Sequence, residues 1–384
     1  MKNTSLASAI ACLQGATLLE EEALCLNLRG RTETCQRCTD VCTTNALKLS
    51  IDAVDVITDD CSACGACVPA CPAGVLRLSG FSPQRFLEAM GNEPEVHLHC
   101  SRSTDNGGGI VIPCYQVLDA RLLAAGRAKG VVSVLLHGLD ACKGCDKGDA
   151  MKSVARMCQQ LNAWLGETAP LVRPALSEAV AETPRQHEDQ QQMSRRSFLR
   201  FASARAAAGA TEWLAPVEDE DDDAFELPFY QGNPEDYHRA HPYQALLSEN
   251  ALGLSWLKGG ELPWQLRTLS DDCSACLACG QHCPTGALLA VEDSQARSIT
   301  FEPALCTDCS LCTSVCPMDA VVVHPAHQLD DVLASRRALM MRSQQPCEHC
   351  GNPFLPEQVE ENHLCPTCRN EEDLDDEWVA MLEG

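Results

Sequence analysis

The pattern of apolar and polar positions is most regular in the middle of the chain, over residues 95–166. Val96 to His99 alternates apolar and polar side chains, and Val131 to Leu136 is a continuous apolar run typical of a buried strand. Val117 to Ala128 and Met151 to Leu165 repeat apolar residues at helical spacing. The order strand, helix, strand, helix predicts a small α/β unit over residues 95–166.

Elsewhere the apolar runs are short. None reaches the roughly 20 residues that a membrane helix needs, so no integral membrane segment is expected. The first residues form an Ala/Leu/Ser-rich segment interrupted by Gln14 and by Glu20 to Glu22, which favours a short helix over a secretory signal. Residues 167–226 are rich in proline and Gln/Glu and end near the acidic block Glu218 to Asp223, so they predict a disordered acidic linker.

Cysteine content changes this picture, because 26 of the 384 residues are cysteine. They are clustered at metal-ligand intervals, which favours metal sites in a reducing compartment over a secreted disulfide framework. Aromatic residues are only 4% of the chain, and metal ligation can replace part of a large core. The net charge of −25 argues against a nucleic-acid partner and favours docking onto a basic protein surface.

Three runs share the spacing Cys-x2-Cys-x2-Cys-x3-Cys-Pro, which is that of ligands to cubic [4Fe-4S] clusters. Zinc bound by the same thiolates is the alternative. Near-copies such as Asp60 to Cys64 and Asp272 to Cys276 indicate that the two halves are variants of one ancestral unit. The runs are Cys61, Cys64, Cys67, Cys71 and Pro72; Cys273, Cys276, Cys279, Cys283 and Pro284; and Cys306, Cys309, Cys312, Cys316 and Pro317.

The C-terminal pair of runs resembles the bacterial-type 2[4Fe-4S] ferredoxin or polyferredoxin family over Cys273 to Val323. The resemblance implies a pseudo-twofold core flanked by strands, in which each cube takes three cysteines of one run and the fourth of the other. The implied ligand sets are Cys273, Cys276, Cys279 and Cys316 for one cube, and Cys306, Cys309, Cys312 and Cys283 for the other.

The N-terminal pair departs from that family, because Thr32 stands where the first cysteine belongs and Thr43 replaces the proline. The same exchange predicts a complete set of Cys61, Cys64, Cys67 and Cys42, and leaves the set Cys35, Cys38 and Cys71 one ligand short. A [3Fe-4S] cluster, a cube with a non-cysteine or labile fourth ligand, or recruitment of Cys25 would each fit. Recruitment of Cys25 is the favoured alternative, and a buried apolar role for Cys25 is its rival. Three to four cubes are therefore expected.

The middle unit has cysteines of its own, and Cys142-x2-Cys145 follows the second predicted strand. Cysteines at the carboxyl edge of an α/β sheet are where such units present functional groups. Together with Pro113-Cys114, they give residues 95–165 a resemblance to the small iron–sulfur subunit of hydrogenase–heterodisulfide reductase assemblies. A metal or further cluster is expected here, against buried or redox-active thiols. The candidate ligands are Cys100, Cys114, Cys142 and Cys145.

The C-terminal segment carries two Cys-x2-Cys knuckles separated by 14 residues. Four thiolates at this spacing predict a closed tetrahedral zinc site, and the segment resembles zinc ribbons. A single iron in the same site is the rival. The predicted ligands are Cys347, Cys350, Cys365 and Cys368.

Ser194 to Arg200 matches a twin-arginine export motif but lies far inside the chain, so we interpret it as non-functional for export. From Met193 onward the chain resembles NapF-type ferredoxins, accessory to periplasmic nitrate reductase, which have a similar Ser-Arg-Arg stretch and remain cytoplasmic. An amphipathic basic helix is the alternative role for this segment.

The sequence thus predicts an α+β multidomain protein in five parts. They are an N-terminal ferredoxin-like module (1–90), the α/β unit (95–166), the linker (167–226), a C-terminal 2[4Fe-4S] module (227–330), and a zinc-ribbon segment with an acidic tail (340–384).

No catalytic constellation stands out in the sequence. The expected function is cytoplasmic electron transfer to or from a redox enzyme or another electron-transfer protein, for example a molybdenum oxidoreductase. The alternatives are an accessory or maturation factor for such an enzyme, with the clusters as sensor or donor, and a subunit of an electron-bifurcating complex.

Overall fold

A computed structural model describes residues 18–33, 35–103, 109–175, 237–356, 363–371 and 381. All of them belong to one compact unit, and they mix helices with sheets, as expected. The expected N-terminal helix lies in residues 1–17, outside the described residues, as does the segment with the acidic block and the twin-arginine motif.

The N-terminal part consists of two small antiparallel strand pairs and four short helices. Strand β1 pairs with β4, and β2 pairs with β3. Cys38 lies in the second helix and Cys67 begins the third, and the other cysteines of this part lie in the connecting segments. The strands are β1 (Leu18–Glu20), β2 (Leu47–Leu49), β3 (Val54–Val56) and β4 (Leu76–Leu78), and the helices are α1 (Leu26–Gly30), α2 (Arg37–Asp40), α3 (Cys67–Ala70) and α4 (Pro83–Met90).

The middle part is a four-stranded parallel sheet in the order β6-β5-β7-β8. The predicted strands and helices are confirmed, except that the first helix begins later because the Asp119 carboxylate caps it by accepting the Leu122 amide at 3.0 Å. The strands are β5 (Glu95–Cys100), β6 (Ile110–Ile112), β7 (Ser133–His137) and β8 (Leu171–Pro174), and the helices are α5 (Ala120–Ala128) and α6 (Met151–Leu165).

Strand β8 corrects the predicted start of the linker at residue 167. Leu171 and Val172 pair with Ser133 and Val134 of β7, so the sheet continues to Pro174. Pro170 before the strand and Pro174 at its end suggested a loop. Strand β8 is an edge strand, however, and proline is tolerated there because one side of the strand needs no ladder partner.

The C-terminal part again combines strand pairs with short helices. Strand β12 pairs with β9, and β10, β11 and β13 form a three-stranded antiparallel sheet. The strands are β9 (Gln265–Leu269), β10 (Leu288–Glu292), β11 (Ala296–Phe301), β12 (Val321–Pro325) and β13 (Arg337–Ser343), and the helices are α7 (Pro242–Asn250), α8 (Ala278–Gln281), α9 (Leu311–Ser314) and α10 (Leu329–Leu333).

Strand β13 corrects the two boundaries predicted at residues 330 and 340. It pairs along the whole of β11, so the sheet of the C-terminal part extends to Ser343. Most of its side chains are exposed, so it gave no strand signal, because an edge strand buries only part of its side chains. The hairpin of β14 (Gln345–Pro346) and β15 (Pro353–Phe354) follows.

One hydrophobic core joins the N-terminal part, the α/β unit and helix α7. Tyr243 of α7 is fully buried and donates its hydroxyl hydrogen to the carbonyl of Val117 at 2.7 Å. His241, also buried, lies 3.0 Å from the carbonyl of Cys71 through Nε2. The cysteine-bearing loops are therefore packed against each other in one body.

Candidate metal centres

The three complete cysteine runs share one unusual backbone conformation. The residue before the second cysteine and the residue after it both have positive φ. Positive φ is uncommon for residues other than glycine, so the conformation is costly, and it turns successive amides toward one side, where an anion can bind. The residues are Ala63 and Gly65, Ala275 and Leu277, and Asp308 and Ser310.

A second shared feature follows the last cysteine of each run. Three residues further on, the chain again has positive φ, and this holds for the degenerate run as well. Thr43 therefore replaces the proline without a change in this turn. The residues are Asn45, Gly74, Gly286 and Asp319.

The degenerate run differs at its beginning. Gln36 follows Cys35 with φ of −128°, where the complete runs have a left-handed residue. Buried Asn27 holds Cys35 instead, since its side-chain amide donates to the Cys35 carbonyl at 3.0 Å and its oxygen accepts the Cys35 amide at 2.9 Å. Asn27 therefore does part of the positioning that the missing loop conformation would do.

Cys25 lies at the degenerate site. It directly precedes helix α1, is buried, and lines a small cavity together with Cys35, Cys38 and Cys71. Burial and then the neighbouring thiols of Cys71 and Cys35 raise the pKa of Cys38 to about 12. The structure thus brings four cysteines together where the run itself supplies too few. We call this quartet site A.

The predicted complete N-terminal set also comes together. Burial raises the pKa of Cys67, and the thiols of Cys64, of Cys38 at site A, and of Cys61 and Cys42 raise it further. Burial raises the pKa of Cys42 as well, but hydrogen bonds from the Thr44 side chain and from nearby backbone amides outweigh it, so the net shift is downward. We call the quartet Cys42, Cys61, Cys64 and Cys67 site B.

The C-terminal runs give two more quartets with the expected exchange. The quartet of Cys283, Cys306, Cys309 and Cys312 lines a cavity of about 320 Å³, opening included, and we call it site C. The other quartet is Cys273, Cys276, Cys279 and Cys316. Burial, then the thiol of Cys312 at site C, and then those of Cys273, Cys276 and Cys316 raise the pKa of Cys279 to about 12. We call this quartet site D, and its Cys276 is exposed.

Backbone amides donate to the exchanged cysteines. The amide of Leu288 lies 3.4 Å from Sγ of Cys283, and the amide of Ala320 lies 3.2 Å from Sγ of Cys316. Such donors stabilise thiolate charge and tune the metal centre that the thiolate holds. Buried thiols this close cannot all ionise without a compensating cation, so the four quartets fit iron–sulfur clusters, whose binding draws the protons off.

The middle cysteines form a fifth quartet at the carboxyl edge of the parallel sheet. Cys100 ends β5, Cys114 follows β6, and Cys142 ends a 3-10 helix after β7. Burial and the thiols of Cys100, Cys114 and Cys145 raise the pKa of Cys142 to about 11. Strands β5 and β7 flank the point where the chain direction across the sheet reverses, which is where such sheets bind ligands. We call this quartet site M.

The C-terminal quartet has a different geometry. The ligand atoms of Cys347, Cys350, Cys365 and Cys368 all lie within 4.8 Å of one another, close enough for one metal ion. Sγ of Cys350 and Sγ of Cys365 are 3.8 Å apart. A tetrahedron with Zn–S bonds of about 2.3 Å has an edge of about 3.8 Å, so the spacing fits a single tetrahedral ion.

Hydrogen bonds support this quartet, which we call site Z. Backbone amides, first that of Cys350 and then that of Cys365, lower the pKa of Cys347 to about 6. The Cys365 amide lies 3.2 Å from Sγ of Cys347. A further group of exposed His349 and Glu371 with Cys368 also falls within 4.8 Å, but it shares Cys368 with site Z.

Sites A and C contact each other directly. Thr307, next to Cys306, donates its hydroxyl hydrogen to the carbonyl of Pro72, next to Cys71, at 2.7 Å. Gly30 packs so closely against Leu311 that an added Cβ would lie 2.9 Å from its Cδ1 atom. A hydrogen bond and a close van der Waals contact therefore connect the two sites.

Sites B and M are also in contact. An added Cβ on Gly148 would lie 2.9 Å from Thr43, and one on Gly65 would lie 2.3 Å from Cγ1 of Val117. The thiol of Cys64 contributes to the raised pKa of Cys114, after burial. Buried Lys147 lies between the sites, and its ammonium donates to the Pro113 carbonyl at 3.1 Å.

The contact at Gly65 gives a first prediction. Gly65→Ala should lower the melting temperature of the loaded protein more than Gly80→Ala does. Both glycines have positive φ, so both variants carry the left-handed cost of about 1–2 kcal/mol. Only Gly65 would also collide with Val117, which adds about 1–3 kcal/mol of overpacking. Equal melting temperatures for the two variants would contradict the close packing of sites B and M.

Three buried residues that position the sites were not predicted from the sequence. Asn27, Lys147 and Arg267 are buried polar side chains at sites A, B and C. Nothing in their local sequence distinguishes them from surface residues, because their burial depends on distant segments. His97 and His99, by contrast, could be placed from the sequence, because alternate residues of a strand lie on the same face. On that face of β5 the His99 ring stacks on His137 at 4.1 Å.

Comparison with known families agrees with this geometry. Residues 32–81 match the model of the LdpA Fe-S cluster-binding domain, and residues 272–320 match the model of the 4Fe-4S dicluster domain. The chain therefore contains two iron–sulfur cluster-binding segments of ferredoxin-like type. The first match covers sites A and B except for Cys25, and the second covers sites C and D.

No helix in the part of the chain that the structure describes is both long and apolar enough to span a bilayer.

Proposed function

We propose that this protein is a cytoplasmic electron-transfer protein that holds four [4Fe-4S] clusters in sites A, B, C and D and a structural zinc ion in site Z. Bound clusters of this kind supply one-electron redox chemistry. The cysteines provide the thiolates, and the left-handed loops aim backbone amides at the negative charge. The described cysteines are free thiols, which supports a reducing compartment.

The contact between sites A and C carries the proposal. Two separate ferredoxins would need to collide to exchange electrons, whereas here Thr307 and Pro72 hold the two loops together permanently. With B beside A and D beside C, the sites form a series across one compact body. These neighbour relations support the proposed order D, C, A, B, which site M would extend through its contacts with B.

Site M would add a fifth centre. Its quartet lies at the sheet edge where an α/β unit binds ligands, and Cys114 lies close to Cys64 of site B. We propose that it binds a further metal or cluster, so that the α/β unit forms one end of the series.

Site D forms the other end, and its exposed Cys276 makes it the point of exchange with a partner. Asp271 and Asp272 precede the first ligand of this site, and the whole chain has a net charge of −25. We therefore propose a redox-enzyme subunit or electron-transfer protein with a basic docking surface. The resemblance of this half to NapF-type ferredoxins favours a molybdenum oxidoreductase.

Metal analysis tests the proposal. Protein purified without oxygen should contain about sixteen iron atoms and equivalent sulfide from four cubes, plus any metal in site M. It should also contain one zinc ion, and a reductive titration should take up about four electrons in the cubes. Fewer than about twelve iron atoms after reconstitution, or clusters that cannot be reduced, would contradict an electron-transfer role.

The accessory-factor alternative has its own outcome in the same preparation. A carrier should exchange electrons with its enzyme while binding it transiently. Stable one-to-one binding to the apo form of the enzyme, with no electron exchange, would favour a maturation role.

A further inference from the structure

Site C has a buried cation in the lining of its cavity. Arg267 lines its cavity together with Cys283, Cys306, Cys309 and Cys312, and it is the charged residue among those that line it. The arginine is 1% exposed. Its neighbours on β9 hold the backbone in place by pairing with β12, so the guanidinium is fixed against the thiolates.

Arg267 lines the same cavity as Cys312. Two nitrogen atoms of its guanidinium donate hydrogen bonds, one to Asp308 at 2.6 Å and one to the Leu266 carbonyl at 3.2 Å. The guanidinium carries its positive charge there, because arginine is not deprotonated in proteins. Asp308 is half-exposed, so water screens its charge better than it screens the arginine.

Site A offers the comparison within the same chain. Arg37 lines its cavity, but the side chain is exposed to solvent. A charge in contact with water acts through a high effective dielectric, whereas a buried charge acts through a lower one. Of the two arginines that line these two cavities, Arg267 is therefore the one placed to influence its site more strongly.

We propose that Arg267 sets the reduction potential of site C, making its cluster the one that accepts electrons most readily in the C-terminal pair. This inference rests on the proposed function. Reduction adds one electron and therefore one negative charge to the centre, without making or breaking a bond. A fixed buried cation favours the more negative state, so it raises the potential. Arg267 acts as a positioning residue, since the cysteines hold the cluster.

The test is a redox titration of the full-length loaded protein with dithionite, followed by electron paramagnetic resonance. Arg267→Gln should lower the reduction potential of one cluster. The expected decrease is at least about 59 mV, which corresponds to a tenfold change in the equilibrium constant of a one-electron reduction. Arg267→Lys keeps the charge and should retain most of the wild-type value. Arg37→Gln should leave its site nearly unchanged. Cys309→Ser identifies the signal of site C by its altered g values.

Asp308→Asn makes the test decisive, because it removes the opposite charge while keeping the buried cation. The same potential should then rise, and a purely structural role would not give opposite signs for the two variants. Loaded Arg267→Gln with unchanged potentials would overturn the inference. If that variant does not assemble, an unchanged or lower potential in Asp308→Asn would overturn it. Absence of clusters in the wild-type protein would instead refute the proposed function.

Discussion

Replacing Cys25 with alanine should make the cluster in site A lose iron on mild oxidation. Three cysteines would remain around that cavity, which suits a [3Fe-4S] cluster. The expected result is a loss of about one iron atom per chain and a new [3Fe-4S] paramagnetic signal that the wild-type protein does not give. Iron analysis and electron paramagnetic resonance after brief exposure to ferricyanide would measure both.

Cys158→Ala is the matched control for that variant. Cys158 is a partly buried thiol on α6 that packs against the same core but belongs to none of the quartets. It should leave iron content and spectra unchanged. If wild-type protein gives the [3Fe-4S] signal as readily as Cys25→Ala does, Cys25 is a buried apolar residue and not a ligand.

Replacing Cys365 with alanine should release the zinc of site Z and unfold the described residues around it, 345–356 and 363–371. The buried core of this segment consists of Cys347, Phe354, Cys365 and Cys368, so three of its four members are ligands. So small a core cannot fold the chain without the metal, whose binding is the folding free energy. Zinc analysis, together with hydrogen exchange over this segment, would show the loss.

Cluster absorption should be unchanged in Cys365→Ala, because the cysteines of the cluster sites end at Cys316. His349→Ala is the control, since the histidine is exposed and lies near Cys368 without being needed for four thiolates. It should keep its zinc. Bleaching of the clusters in Cys365→Ala, or iron in place of zinc in the purified segment, would contradict the assignment.

The cysteine sites could be predicted from sequence to the extent that they are local. A run such as Cys306 to Cys316 forms its own loop, so the spacing of its cysteines is enough to predict the site. Cys25 was open to more than one role, because ten residues separate it from Cys35 and only the packing of α1 brings it to site A. Arg267 carries no signal at all, since its burial depends on β12 and on Asp308.

The predicted boundaries between the parts were inaccurate where a strand lies at a sheet edge. Strands β8 and β13 bury few side chains, so neither shows the alternation that marks a half-buried strand. Both were placed outside their sheets for that reason. The core shared between distant segments could not be predicted from the sequence either, because no local pattern shows that Tyr243 will lie against Val117.

That shared core has a consequence for how the protein is made. His241, directly before helix α7, contacts the loop of Cys71, yet 170 residues separate the two along the chain. During synthesis the first cysteine runs emerge from the ribosome well before α7, so they stay uncovered until translation has passed residue 250. We expect iron–sulfur insertion into sites A and B to use that interval, and later loading of a finished apoprotein to require α7 to undock.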